Sequence, residues 1–466
     1  MRKSLFLSLL LSLCIQPIIA QVKRSDEFHQ KYHLSEVVVF SRHNIRAPLA
    51  EPGSFISTIT PHTWHDFGVK ASELTMKGGV LETINGQFFH QWVVSEGLFP
   101  ENAQPTDEEL VVIANSKQRT ISTARHFISS FMPMKTVTVE HEGEINDMDP
   151  NFSLNIDEDI TKEEWDQIYK ETSERYTPEK LREISESLKP SFDLLSEVLD
   201  IKNSPAYLDG SFTGFNNHDC QIVYELGKEP ELTASLNQAC QAVDALILQY
   251  YEEPDLAKVA FGKDLTHEQW QMLSKIIHTK DRIRFCSPFI NNRVSQHLRT
   301  LFADALQTPD RKFTFICGHD TNILNILQSL RTKSYETTEA IELGTPIGSK
   351  IVFEKWKDEE GNAFIGVNHV YQTVDQLRSN TLLNLTTPPN IIPLQFEDLT
   401  PNEDGLISLS QMLDRLTGKD SPTAINTPAA DTRATTGTSY NLSGQPVPDN
   451  YKGIVILNNK VQIIGE

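Results

Sequence analysis

The sequence predicts an α/β fold, a mixed sheet flanked by helices and interrupted by an α-helical inserted domain. Three observations predict it. First, three short apolar runs each break into polar residues and lead on to helical sequence: Glu36–Phe40 (EVVVF) before SRHNIRAP, Glu109–Ala114 (ELVVIA) before NSKQRT, and Lys312–Cys317 (KFTFIC) before GHDTN. Continuous apolar strands followed by helices belong in a parallel sheet covered on both faces. Such sheets bind ligands at the carboxyl ends of their strands. Second, between about 151 and 285 the apolar residues recur at helical spacing instead. Third, Lys350–Trp356 and Ile365–Tyr371 flank the turn residues Asp358–Gly361, as an antiparallel pair would.

Taken in order, residues 1–20 carry Arg2 and Lys3, an apolar run from Leu5 to Ile15 and a small residue, Ala20, which together predict a secretory signal peptide rather than a membrane span. The α/β core is expected over 21–150 and 286–420, and the helical insert over 151–285. Within the insert, Lys162–Tyr176, Pro178–Leu199, Leu232–Tyr251 and His267–His278 read as helices, and a further helix is expected over Asn322–Leu330. Residues 421–438 (SPTAINTPAADTRATTGT) read as a linker. Residues 439–466 read as a short β-rich tail suited to a hairpin or to retention at the cell surface. Export implies an oxidising compartment, where Cys220, Cys240, Cys286 and Cys317 allow three pairings. Proximity in sequence favours Cys220 with Cys240, while Cys317, inside an apolar run, reads as a buried free thiol.

The 466 residues carry a formal charge of −21, which disfavours nucleic-acid and anionic-lipid partners. The strand ends concentrate the opposite charge. Ser41–Pro48 sets Arg42 and Arg46 around His43, and Arg119 follows the second strand. Guanidinium groups hold phosphoryl oxygens with paired hydrogen bonds, and a neutral imidazole between them can take a phosphoryl group as nucleophile. At the end of the third strand, His319 adds a second imidazole, and Asp320 is placed to protonate a leaving oxygen or to cap the following helix. His62 and His65 have a two-histidine spacing without a matching ligand cluster, so no metal site is predicted.

Arg42-His43-x-x-Arg46-x-Pro48, Arg119 and His319-Asp320 together resemble the histidine acid phosphatase family, whose first motif is usually RHGxRxP. Asn44 in place of Gly matches the periplasmic glucose-1-phosphatase subgroup, akin to bacterial phytases. Leu74–Glu82, Met148–Pro150, Leu248–Glu252, Thr345–Phe353 and Val370–Gln372 agree with that subgroup, so the resemblance spans about Glu36 to Leu416. It implies a phosphoglycerate-mutase-like fold and an exported, periplasmic or secreted phosphatase without metal or other cofactor. His43 would be the nucleophile and Asp320 the proton donor, with Arg42, Arg46, Arg119 and His319 holding the phosphate. The implied substrates are small phosphate monoesters, either sugar phosphates such as glucose 1-phosphate or inositol phosphates. A strict phytase and a non-catalytic phosphate-ester-binding protein are the alternatives. Ala206 and Phe396 stand where subgroup members carry cysteines, so any bridges must differ. Glu229 falls where a carboxylate gate to the substrate is expected.

Overall fold

The continuous apolar runs become the middle of an eight-stranded sheet. The structure, a computed structural model, describes residues 24–49, 53–157, 159–215, 221–232 and 235–420, with the strand backbones at 440–441, 453–457 and 460–464. Strands β1 (Tyr32–Arg42), β2 (Leu110–Ala114) and β3 (Val139–Glu140) come first, and β4 (Ile222–Val223) pairs with β5 (Glu231–Leu232) in the helical region. Then follow β6 (Phe313–Gly318), β7 (Lys350–Asp358), β8 (Ala363–Tyr371), β9 (Asn390–Pro393) and β10 (Ile407–Ser408). The main sheet has the order β10-β8-β7-β1-β6-β2-β3, with β9 also on β8. Pairing is parallel among β1, β6, β2 and β3, and antiparallel from β1 through β7 and β8 outward. The sheet is therefore mixed, as the sequence predicts.

Alternation along β1 divides the core. Val37 and Val39 face a cluster with Val112, Phe313 and Phe315 under helices Met76–Ser95 and Gln118–Phe131, where the Phe127 and Phe315 rings stack at 4.1 Å. Val38 and Phe40 face the opposite cluster, with Phe302, Ile323, Ile326 and Met412. Successive side chains of a strand point to opposite faces, so a strand buried on both sides must be apolar at every position. Register then sets three strand ends side by side: Arg42 opposite Gly318, and Ala114 opposite Cys317.

The predicted helices form within a residue or a few of their expected bounds, as Lys162–Arg175, Pro178–Val198 and Ser235–Glu252. Thr161 and Thr177 cap the first two, each accepting a hydrogen bond from the first turn. Leu188, Leu195, Val243, Leu246, Trp270 and Leu273 share one buried cluster with Ile45, Leu81, Ile341 and Ile347, so the helical region packs directly on loops at the strand ends. One helix is longer than expected, running His267–Arg284. Its last turn is charged, which hides it from an apolar period. Asp281 and Arg284 are nonetheless buried, because they bond each other and Arg284 also bonds Glu229.

The favoured bridge between Cys220 and Cys240 does not form: Cys240 is a free thiol buried in the helical core, while Cys220 lies outside the described residues. Cys286 and Cys317 are free and buried as well, the latter as expected. Cys240 is buried within the cluster that includes Ala239 and Val243, and burial pushes its thiol pKa up to about 12. The signal-peptide and linker segments also lie outside the described residues. In the tail, β11 (Tyr440–Asn441), β12 (Gly453–Leu457) and β13 (Lys460–Ile464) form an antiparallel sheet.

Candidate active site

Three strand ends deliver the predicted residues to one place. The His43 N–H donates to the Gly318 carbonyl at 3.0 Å and the Asn115 N–H to the Cys317 carbonyl at 3.0 Å, so the segments leaving β1, β2 and β6 are tied together beyond the ladder. The His43 and His319 rings meet edge to face with centroids 5.4 Å apart. His43 Nδ1 lies 2.9 Å from the Asn44 carbonyl oxygen. A carbonyl can only accept, so Nδ1 carries the hydrogen and Nε2 keeps the lone pair a nucleophile needs.

His319 is fixed in the same tautomer through Asn115. Asn115 Oδ1 accepts from the Asp149 N–H at 3.3 Å, which orients its amide so that Nδ2 donates to His319 Nε2 at 2.8 Å. The hydrogen of neutral His319 therefore sits on Nδ1, 3.5 Å from Arg119 Nη2. Two donors side by side do not bond each other.

Each of the three arginines is anchored through its terminal nitrogens. Arg42 Nη2 contacts Asp320 Oδ2 at 3.0 Å and Nη1 donates to the Thr345 carbonyl at 2.6 Å. Arg46 forms a bidentate pair with Asp244, two bonds of 3.1 Å. Arg119 Nη1 donates to Ser72 Oγ at 3.2 Å. All three keep a buried Nε–H with no hydrogen-bond partner among the described residues. Buried donors are normally satisfied, so three guanidinium groups and His319 concentrate unused hydrogen-bond donors and positive charge beside His43.

Electrostatics sets the protonation states. Burial pushes the His43 pKa well below its ordinary 6.5, and the charges of Arg119, His319, Arg46 and Arg42 push it the same way. The neutral imidazole is therefore favoured at pH values where an ordinary histidine would be protonated. Burial alone would raise the Asp320 carboxyl, but Arg42, then His319 and Arg46, outweigh it and hold it at about 2. Burial lowers Arg119 to about 10 with help from Arg46, which leaves it charged.

Asp320 begins the helix Asp320–Ser329, with His319 as its N-cap. Its carboxylate, 31% exposed, faces a cleft of about 590 Å³ that is also lined by Asp244, Asp281, Glu342, Ser274 and His278, with Ile247, Leu248 and Ile277 between them. Glu229, expected as a gate, is held by Arg284 Nη2 at 2.6 Å, and Arg284 also holds Asp281 at 3.3 Å. Of the two carboxylates it is Asp281 that lines the cleft.

The sequence reading missed Asp244, Asp281, Glu342 and Asn115. Asp244 had a signal: it is a lone acid in the apolar stretch Ala242–Leu248. His62 and His65 have ordinary partners, the Phe261 ring at 4.8 Å and Glu253 at 3.5 Å.

Comparison with known proteins places this arrangement. The family model described as the histidine phosphatase superfamily (branch 2) matches residues 33–372. A glucose-1-phosphatase of Providencia rettgeri is 32% identical over 408 residues, 86% of this chain and 95% of that protein. Phytase AppA of Escherichia coli is 26% identical over 87% of this chain and 95% of its own length. Among solved structures, the apo form of Hafnia alvei phytase aligns with a TM-score of 0.73 at 27% identity, covering 84% of this chain and 97% of that one.

Proposed function

We propose a mechanism for this chain, which belongs to the histidine phosphatase superfamily (branch 2) and is an acid phosphatase hydrolysing phosphate monoesters. The observation that carries the mechanism is the gathering of the donors of Arg42, Arg46, Arg119 and His319 at the strand ends around His43, whose Nε2 is free. The phosphoryl oxygens take those donors. Nε2 of His43 attacks phosphorus, the ester P–O bond breaks in line, and Asp320 gives its proton to the departing alkoxide. In the second half, Asp320 accepts a proton from water, water attacks phosphorus, the P–N bond breaks and inorganic phosphate leaves.

Asp320 must hold a proton at the start, although Arg42 keeps it ionised in the free enzyme. Substrate resolves this. A bound phosphate takes the charge of Arg42 and Arg46 for itself, which removes what depresses the carboxyl and leaves burial to raise it. The three arginines then spread their charge over the equatorial oxygens in the transition state.

For the alcohol half of the substrate we propose a neutral polyol, a sugar phosphate such as glucose 1-phosphate, in preference to myo-inositol hexakisphosphate. Support comes from the cleft wall, where Asp244, Asp281 and Glu342 accept hydroxyl hydrogens and repel further phosphates. The likeness to Hafnia alvei phytase supports the alternative of a phytase. Comparing kcat/KM for the two substrates on the purified protein tests it: a ratio favouring glucose 1-phosphate supports the proposal, and a ratio favouring the hexakisphosphate overturns it. We further propose export, on the leader pattern of residues 1–20; a mature chain beginning at Gln21 is the expected result of N-terminal sequencing. No described helix is long and apolar enough to cross a membrane.

A further inference from the structure

A second set of buried groups surrounds the backbone of His43. Lys350, at the start of β7, and Glu82, on the helix Met76–Ser95, form an ion pair of 2.8 Å with side chains only 1% and 0% exposed. Glu82 Oε2 accepts from Asn44 Nδ2 at 2.9 Å, and Asn44 Oδ1 accepts from the Ile45 N–H at 2.9 Å. On the other side Lys350 Nζ donates to the Gly348 carbonyl at 2.9 Å, while the Gly348 N–H donates to the His43 carbonyl at 3.3 Å. Gly348 has φ +64°, and a Cβ there would come within 2.6 Å of Asn44 Nδ2. The glycine is therefore required both by its backbone and by the amide packed on it.

Such a pair needs a reason. A buried ion pair seldom stabilises a protein more than an apolar pair of the same volume would. What this one supplies is direction. Through Glu82 it holds the Asn44 amide, and the same residue's carbonyl accepts from His43 Nδ1 and so fixes the ring's tautomer and its aim. Through Lys350 it holds the turn at Gly348 that braces the His43 carbonyl. A glycine at position 44, usual in the first motif of the resembled family, has no amide for Glu82 to hold.

We infer that Asn44, Glu82 and Lys350 are positioning residues that aim the His43 imidazole at phosphorus, an inference that rests on His43 being the nucleophile. Asn44→Ala cuts the link and leaves the ion pair intact. A misdirected nucleophile slows attack by about 10- to 100-fold without weakening the arginine-held phosphate. The measurement is rapid-quench formation of phosphohistidine from ³²P-labelled substrate, stopped in alkali, with burst rate and burst amplitude recorded separately. Asn44→Ala is expected to lower the rate of phosphohistidine formation at saturating substrate by that factor, with the substrate concentration at half-maximal rate within about twofold.

Two double variants keep the buried charges balanced. Lys350→Met with Glu82→Gln keeps an acceptor for Asn44 and is expected to retain most of the rate. Lys350→Met with Glu82→Leu removes the acceptor and is expected to fall to the level of Asn44→Ala. Equal rates in the two double variants, or an Asn44→Ala protein that loses amplitude with an unchanged rate per site, would overturn the positioning role. Label recovered from the wild type on a residue other than His43 would instead overturn the nucleophile on which the inference rests.

Discussion

Replacing Asp320 by Asn separates two things the carboxyl does, and the structure gives each a size. Asp320 touches Arg42 at 3.0 Å, and that contact, with His319 and Arg46, holds its pKa at about 2 against an ordinary 3.8. The difference corresponds to about 2 kcal/mol, the net of the arginines' attraction over the opposing burial, and it measures what inorganic phosphate gives up when it displaces the carboxylate from the arginines. The sign follows from the depressed pKa. The interaction is fully present above about pH 4 and is lost as pH falls through about 2, so at pH 5 the variant should show its whole effect. Asp320→Asn is expected to tighten product inhibition by phosphate about 10- to 30-fold at pH 5. The same change removes the proton donor. Turnover of glucose 1-phosphate, whose alkoxide must be protonated, should fall about 10²- to 10⁴-fold, and p-nitrophenyl phosphate, whose leaving group is stable as an anion, much less. Steady-state kinetics with both substrates and phosphate as inhibitor reads all three quantities. Equal losses on the two substrates, or weaker inhibition by phosphate, would refute the reasoning.

Asp281→Asn should raise kcat/KM for myo-inositol hexakisphosphate relative to glucose 1-phosphate by about fivefold, taking about 1 kcal/mol for one charge at ~8 Å and an effective dielectric constant of ~40; an unchanged ratio would show that this carboxylate does not select. Lys350→Met strands Glu82 in the core and should cost about 3–5 kcal/mol by urea denaturation, with at least half recovered when Glu82→Gln is added. Because burial lowers the His43 pKa, protonating it requires pH well under 6.5. The profile of kcat/KM should therefore show any acid limb from imidazole protonation displaced well below pH 6.5, and an acid limb near 6.5 would contradict the assignment.

The legible parts of the site were those fixed by local chemistry. Within EVVVF, ELVVIA and KFTFIC the runs Val37–Phe40, Leu110–Ala114 and Phe313–Cys317 are almost wholly apolar because these strands are covered on both faces, and that pattern also locates the carboxyl ends where Arg42, His43, Arg119, His319 and Asp320 lie. The helix cap differs from the sequence reading: His319, not Asp320, is the N-cap of the helix Asp320–Ser329. The charged residues that complete the site were not legible, because their partners lie far along the chain. Asp244 meets Arg46 across 198 positions, and Glu82 meets Asn44 across 38. In sequence, Lys350 reads as the polar start of a strand and Glu82 as a helix-surface acid, yet the fold buries both because each cancels the other. The last turn of His267–Arg284 escaped for a related reason: Asp281 and Arg284 are inward-facing charges, which a search for apolar periodicity passes over. The bridge expected at Cys240 failed because nearness in sequence says nothing of which way a helical cysteine faces.

The central claim is that phosphate passes through His43. Trapping the wild-type enzyme with ³²P-labelled substrate in alkali and mapping the labelled peptide tests it most directly. The account predicts one labelled peptide, carrying the phosphoryl group on Nε2 of His43, and no label and no turnover in His43→Ala. Labelling that persists in His43→Ala, or turnover that survives it, would contradict the account.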